Sequence, residues 1–311
     1  MNISHLRYAV EVEKTGSITR AAENLYMGQP NLSKAIKELE NAVGITLFKR
    51  NYHGVSPTAK GKEFLDRARE VLSKIQDMES MYQGGEQNTA FSVCIPRASY
   101  VSYGLPAFVG SLNQENGFSI DIQEANAMRT MERVVNGECN MGIMRCVSDR
   151  KPYYLSLLQE KHMNAQTLWR SSYKVAVSEN NPLARKNRLS LEDLQEGICL
   201  EHGDEEIPFV VKERRGSKDV SKDKSILVYE RGSQLDLLKS VPGAYMWITA
   251  MPESMLRTMG LVQRECEIEG NWVEDILIYP QYYSLTELDR AFIQNLEKVR
   301  EEMGSGIEVD D

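Results

Sequence analysis

Cysteine and histidine are sparse in this chain, and what there is lies scattered. The five cysteines, Cys94, Cys139, Cys146, Cys199 and Cys266, form no CxxC pair. That pattern excludes a zinc ribbon and argues against a disulfide framework, so each reads as a single buried thiol. The four histidines, His5, His53, His162 and His202, stand in no HExxH. No G-x-S-x-G, Walker loop or G-x-G-x-x-G after a strand occurs either, so neither catalysis, a cofactor nor a metal site is expected. No apolar run reaches eighteen residues, and the opening MNISHLRYAVEVEK is amphipathic rather than a leader. A cytoplasmic protein with no membrane partner is expected.

A length of 311 residues suggests two or three domains, and 41% hydrophobic content is enough to pack them. The net charge of −8 is unevenly spread: residues 17–62 carry seven basic against three acidic side chains. A locally positive module on an acidic body can meet phosphate at short range while the body limits indiscriminate binding.

Within that module, Gln29 to Arg50 reads QPNLSKAIKELENAVGITLFKR. At about 100° per residue, Leu32, Ile36, Leu39 and Val43 share one narrow arc, while Pro30, Lys34, Lys37 and Asn41 lie opposite and Gln29 and Ser33 flank them. Pro30 suits a first turn, and Gly44 a stop. Upstream, Ile3, Leu6 and Val10 mark a first helix broken at Gly16. Ser17 can cap a second, SITRAAENLY, whose paired alanines permit close helix approach. Two short helices joined by a tight turn, the second with exposed polar groups near its N-terminus, form a helix-turn-helix. ITLFKRNYHGVSPTAKG then reads as strand, turn at His53-Gly54, strand, and a stop at Pro57: a small wing.

Thr58 is placed to cap a long helix to about Tyr82. Phe64, Ala68, Val71, Ile75, Met78 and Tyr82 alternate by four and three along it, the spacing of a coiled coil, and predict a seam against a second copy. QGGEQN (83–88) reads as a hinge. Beyond it short apolar strands alternate with helices, which indicates α/β. The strands are FSVCI, FSIDIQEA, CNMGIMR, YKVAVS, ICLE, SILVYE, AYMWIT and WVEDILIYP. The helices are SYGLPAFVGSLNQEN, RTMERVVNGE, LSLEDLQEG, GSQLDLLKSVPG and a final LTELDRAFIQNLEKVREEM. KERRGSKDVSKDKS (212–225) reads as a solvated loop, and the tail as disordered.

The sequence LRYAVEVEKTGSITRAAENLYMGQPNLSKAIKELENAVGITLFKR, the following SPTAKG, and the later VVNGECNMGIM and LWRSSYKVAVSENNPLA resemble those of LysR-type transcriptional regulators. The resemblance runs to about residue 300 and is most specific over 5–61. It implies a winged helix-turn-helix over 1–58 and a dimerising linker helix over 58–85. An α/β effector domain like periplasmic binding proteins would follow over 90–305, with lobe I about 90–160 and 268–305, lobe II about 161–267, and a tail at 306–311. It also implies a homodimer through the linker helix assembled into a homotetramer, binding to double-stranded DNA at inverted promoter repeats, contact with RNA polymerase, and a small-molecule effector between the lobes. Carried over by position, DNA contacts fall on Gln29, Pro30, Asn31, Ser33, Lys34 and Lys37, with phosphate-gripping wing positions at Arg50, His53 and Thr58. Pro57 stands where many members have leucine. Gln29 can bond bidentately to adenine, while Lys34 and Arg50 supply sequence-independent attraction.

In open α/β sheets ligands bind beyond the carboxyl ends of strands. PRASY (96–100) brings Arg97, Ser99 as a helix cap, and Tyr100 to that edge; ANAMRT (125–130) brings Asn126, Arg129 and Thr130. Ser99 and Thr130 match effector-lining positions of the resembled family. Arg145, Glu201, His202 and Trp247 also fall near strand ends, and the arginines at this edge point to an anionic effector. Two other readings stay open: a solute-binding protein, which the basic module disfavours, and an architectural DNA-binding protein without a ligand.

Overall fold

In a computed structural model the described residues are 2–51, 54–82, 89–113, 117–203, 224–266, 268 and 272–303. His53, the hinge at 83–88, most of the charged loop at 212–225 and the tail lie outside them. The chain divides into two units near residue 89.

Local capping defines the first unit. Asn2 accepts a hydrogen bond from the Ser4 N–H to start α1 (Ile3–Thr15), which ends on Gly16 at φ 61°. Ser17 accepts from Arg20 N–H to start α2 (Ile18–Asn24). Tyr26, in the turn, sits at φ 51°, a left-handed conformation rarely occupied by a bulky side chain. α3 (Gln29–Val43) follows, with Pro30 in its first turn, and stops at Gly44, φ 72°. The apolar faces of the three helices meet: Leu6, Ala9, Val12, Ala21, Ala22, Leu32, Ile36 and Leu39 form one core with Leu47. Each fully buried leucine there is worth about 1.5–3 kcal/mol.

β1 (Phe48–Asn51) and β2 (Gly54–Pro57) pair antiparallel, Arg50 opposite Val55. Glu40, late on α3, accepts from the Leu47 and Phe48 N–H groups and so ties the wing to that helix. Thr58 caps α4 (Ala59–Tyr82): its hydroxyl accepts from Gly61 N–H at 2.9 Å and donates to the Thr46 carbonyl at 2.7 Å. Gly61 is required there, since a Cβ would stand 2.0 Å from the Leu47 carbonyl oxygen. Leu65 and Ala68 continue into the shared core, and Arg69 pairs with Glu13 of α1 and Asp66 of its own helix. The heptad expectation is thereby divided. Ala68, with Leu65 which the spacing did not pick out, faces its own unit, whereas Val71 and Met78 are exposed. The side chain of Tyr82 lies outside the described residues.

The second unit is built on one sheet in the order β4-β3-β5-β12-β6-β10-β8-β9. These strands are β3 (Thr89–Ile95), β4 (Phe118–Glu124), β5 (Met141–Val147), β6 (Met163–Ser178), β8 (Ile198–His202), β9 (Lys224–Val228), β10 (Ala244–Thr249) and β12 (Trp272–Pro280); β7 (Arg188–Leu189) and β11 (Leu261–Cys266) branch from β6. β3 with β5, and β8 with β9 and β10, are parallel, as βα connections require. β6 and β12 run antiparallel to their neighbours and to each other.

On the β3 side, α5 (Ser99–Gly110) and α11 (Glu287–Glu302) pack a cluster in which the Phe91, Phe108 and Phe292 rings lie 4.9–5.3 Å apart, and α6 (Ala127–Val135) packs against β5. On the β10 side, α9 (Gly232–Ser240) and α10 (Glu253–Met259) cover Leu200, Leu238, Met246 and Leu256. Two segments were not anticipated. α7 (Lys151–Glu160) buries only Leu158, so it shows no apolar stripe. The first half of β6 mixes buried and exposed positions without alternation. The helix expected over 189–197 shrinks to α8 (Leu191–Leu194), closed by a reciprocal cap between Ser190 and Asp193. No described helix is long and apolar enough to cross a membrane.

Candidate functional site

On α3, Gln29, Pro30, Asn31, Lys34 and Lys37 are exposed and Ser33 is half-buried, opposite the buried Leu32, Ala35, Ile36 and Leu39. The cap is Gly28, which has no side chain to offer, and no acidic residue stands in the first turn, so the N-terminal amides and the dipole stay open to an anion. Lys34 is 3.9 Å from Glu38, but both are well exposed, a pairing of little worth. Arg50 and Lys49 are exposed on β1. Thr58 differs from these, because its hydroxyl is already committed to capping α4. Tyr26, which sequence reasoning passed over, is 99% exposed beside this face.

In the second unit a cavity of about 60 Å³ lies between the β3 and β10 sides of the sheet. Of the anticipated residues, Arg97, Ser99, Arg145, Glu201, His202 and Trp247 line it. Ser99 is not a cap: Ala98 takes that position with no side-chain bond, and Ser99 is the first helical residue. Its hydroxyl and the uncapped N–H groups at the start of α5 are thus left at the cavity edge.

Four anticipated residues lie elsewhere. Tyr100 is packed edge-on to Trp169 at 4.7 Å inside the phenylalanine core. Asn126 caps α6, accepting from Arg129 N–H. This starts the helix at Ala127, two residues earlier than expected, and turns Thr130 inward with Met131 and Val134, where its hydroxyl lies 3.5 Å from the Cys94 sulfur. Arg129 points to solvent.

Arg145 is spoken for. Its Nε and Nη2 donate to Asp275 at 2.8 and 2.7 Å, and Nη1 to the Thr249 hydroxyl and the Arg97 carbonyl. Burial works against its charge, but Asp275 outweighs that and holds the guanidinium above its usual pKa. Arg145 therefore joins β5, β10 and β12 at the cavity floor.

Missed residues complete the wall. Arg231, just before α9, donates to Ser102 of α5 and pairs with Glu124 at 3.0 Å. Burial lowers its pKa; Glu124 opposes this, and the like charges of Arg97 and Arg145 add to the lowering. Gln234 on α9 is 2% exposed and also lines the cavity. Met246, Met251 and Met255 supply an apolar side. No single periodicity could have singled these out, since they come from the start of α9, from β10 and from the segment leading into and opening α10. All five cysteines are buried.

The described residues thus give a winged helix-turn-helix, a long helix after it, and a two-sided α/β unit with a cavity, the architecture of one protein class. The chain belongs to the LysR family: the bacterial regulatory helix-turn-helix protein model of that family matches residues 3–62, and the LysR substrate binding domain matches residues 85–300. It accordingly carries the helix-turn-helix and the substrate binding domain of that family. HTH-type transcriptional regulator AlsR of Bacillus subtilis is 30% identical over 200 residues, 63% of this chain and 62% of that protein. The hydrogen peroxide-inducible genes activator of Haemophilus influenzae is 26% identical over 81% of this chain and 80% of its own. The chain spans less than two thirds of the first curated relatives it matches. Full-length OxyR C199D from Pseudomonas aeruginosa shares the fold, with a TM-score of 0.62 at 16% identity, covering 96% of this chain and 98% of that one.

Proposed function

We propose that this chain regulates transcription by reading duplex DNA with α3, as a dimer seamed through α4, under control of a small anionic effector held in the cavity of its α/β unit. The observation that carries the DNA reading is the uninterrupted polar face of α3 from Gln29 to Lys37, facing away from the core and led by an uncapped N-terminus. Gln29 and Asn31 read base edges; Lys34, Lys37 and Arg50, together with His53, hold phosphates. The exposed Val71 and Met78, with half-buried Ile75 between them, supply the seam for a second copy.

In the cavity, Ser99, the start of α5 and the crowded Arg97 and Arg231 favour a negatively charged group. The regulator is cytoplasmic, assembles further into a tetramer, touches RNA polymerase and performs no catalysis. Fluorescence anisotropy on duplexes from the DNA flanking its own coding region tests the DNA reading: specific binding that falls with salt is expected. A strictly monomeric protein that ignores every such duplex at low salt sinks it. Titration with anionic metabolites tests the effector reading, and a ligand that binds without altering the footprint removes the link between the two.

A further inference from the structure

Gln234 stands out among the polar groups of the cavity. Its side chain is almost wholly buried and lines the space, yet its Nε2 has no hydrogen-bond partner. A buried idle donor is costly, and native proteins rarely keep one without use. The guanidinium groups beside it are already engaged, Arg145 with Asp275 and Thr249, and Arg231 with Glu124 and Ser102. Leu235, Met246, Met251 and Met255 line the same cavity, and none of them competes for an oxygen. The other side of the cavity presents Ser99 and the open amides of α5. Two walls thus offer two different kinds of recognition.

Resting on the anionic-effector reading above, we infer that the effector is a compact acid carrying, besides its carboxylate, a second oxygen acceptor, keto or hydroxyl, which takes the Gln234 Nε2. The carboxylate meets the α5 start, the second oxygen meets the amide, and the carbon skeleton lies against the methionines, whose soft side chains adapt to a small shape. Three-carbon oxo- and hydroxy-acids carry both groups on a small frame, and they serve as probes of the class.

Calorimetry on the full-length protein with pyruvate, L-lactate and propionate tests this, because propionate has the same carbon chain without the second oxygen. The better of the two oxygen-bearing acids should bind about tenfold tighter than propionate. Gln234→Leu, similar in size and lacking the donor, should erase that preference and leave propionate affinity within about twofold. Gln234→Glu should weaken all three by placing an acceptor and a negative charge at the same spot. Circular dichroism confirms that each variant folds. Equal affinities in the unaltered protein, or a preference surviving in Gln234→Leu, overturn the inference while the anion reading stands. If none of the three acids binds at millimolar concentration while a larger anion does, the compact-acid inference falls and the anion reading stands; if no anion binds at all, both fall.

Discussion

On α3 the groups offered to a partner, Gln29, Asn31, Lys34 and Lys37, are exposed neighbours on one helix. In the α/β unit the corresponding groups, Arg97 on one side and Arg231 and Gln234 on the other, are half-buried or buried and come from two segments far apart in the chain. The contrast separates two ways of making a site. A surface face can change its chemistry with almost no effect on folding, because water replaces whatever is removed. An interior wall cannot, since each polar group there is either paired with another or left unsatisfied. Recognition and stability are therefore nearly independent in the first unit and entangled in the second.

The strongest challenge to that contrast is Arg145→Met. It leaves Asp275, 2% exposed, without its partner, and urea unfolding should show a loss of about 3–5 kcal/mol. Adding Asp275→Leu should recover most of it, because two apolar groups leave no orphaned charge. If Arg145→Met is as mild as a surface change, the interior wall is not what holds the unit together. Next in size is Gly61→Ala, whose methyl would collide with the Leu47 carbonyl and should destabilise the first unit by about 1–3 kcal/mol in thermal melts. Such a loss would show that the surface-reading unit has its own rigid interior a few residues from the DNA face. Gln234→Leu sharpens the contrast from the other direction: removing an idle buried donor should stabilise the ligand-free protein by about 1 kcal/mol, even as it weakens discrimination among acids. Smallest of all is Lys34→Ala. Stability should move by less than about 0.5 kcal/mol, while the slope of log affinity against log salt drops by about one. A change in base preference instead would place Lys34 on a base edge.

How legible each part was in the sequence follows from the same contrast. The helices of the first unit could be located because Leu32, Ile36 and Leu39 repeat at helical spacing and because Ser17, Gly16, Gly44 and Thr58 punctuate them; these signals are local. Gly61 of SPTAKG, which carries no periodic signal, marks a close approach of α4 to the chain before the wing. Strands buried on both faces, such as MGIMRCV and AYMWIT, were equally plain as short apolar runs. What escaped was whatever depends on distant partners. α7 and the first half of β6 carry no clean period, Leu65 was hidden beside a better-spaced heptad, and Thr130 was drawn into the core by a cap two residues earlier than the pattern implied. The cavity was half read: strand ends could be guessed, but Arg231 and Gln234 arrive with the start of α9 from a different part of the chain, and only folding brings them to the cavity that Ser99 lines.

One feature of the sheet bears on how such a protein is made. β6 contributes to the packing on both sides of the cavity, and β12 and α11, which complete the β3 side, are the last described parts of the chain to be synthesised. The side begun first on the ribosome must therefore wait, unclosed, until nearly the whole polypeptide has emerged. A nascent chain arrested before residue 272 should expose the Phe91 and Phe108 rings to chaperones or to proteases, however well the helix-turn-helix has already formed.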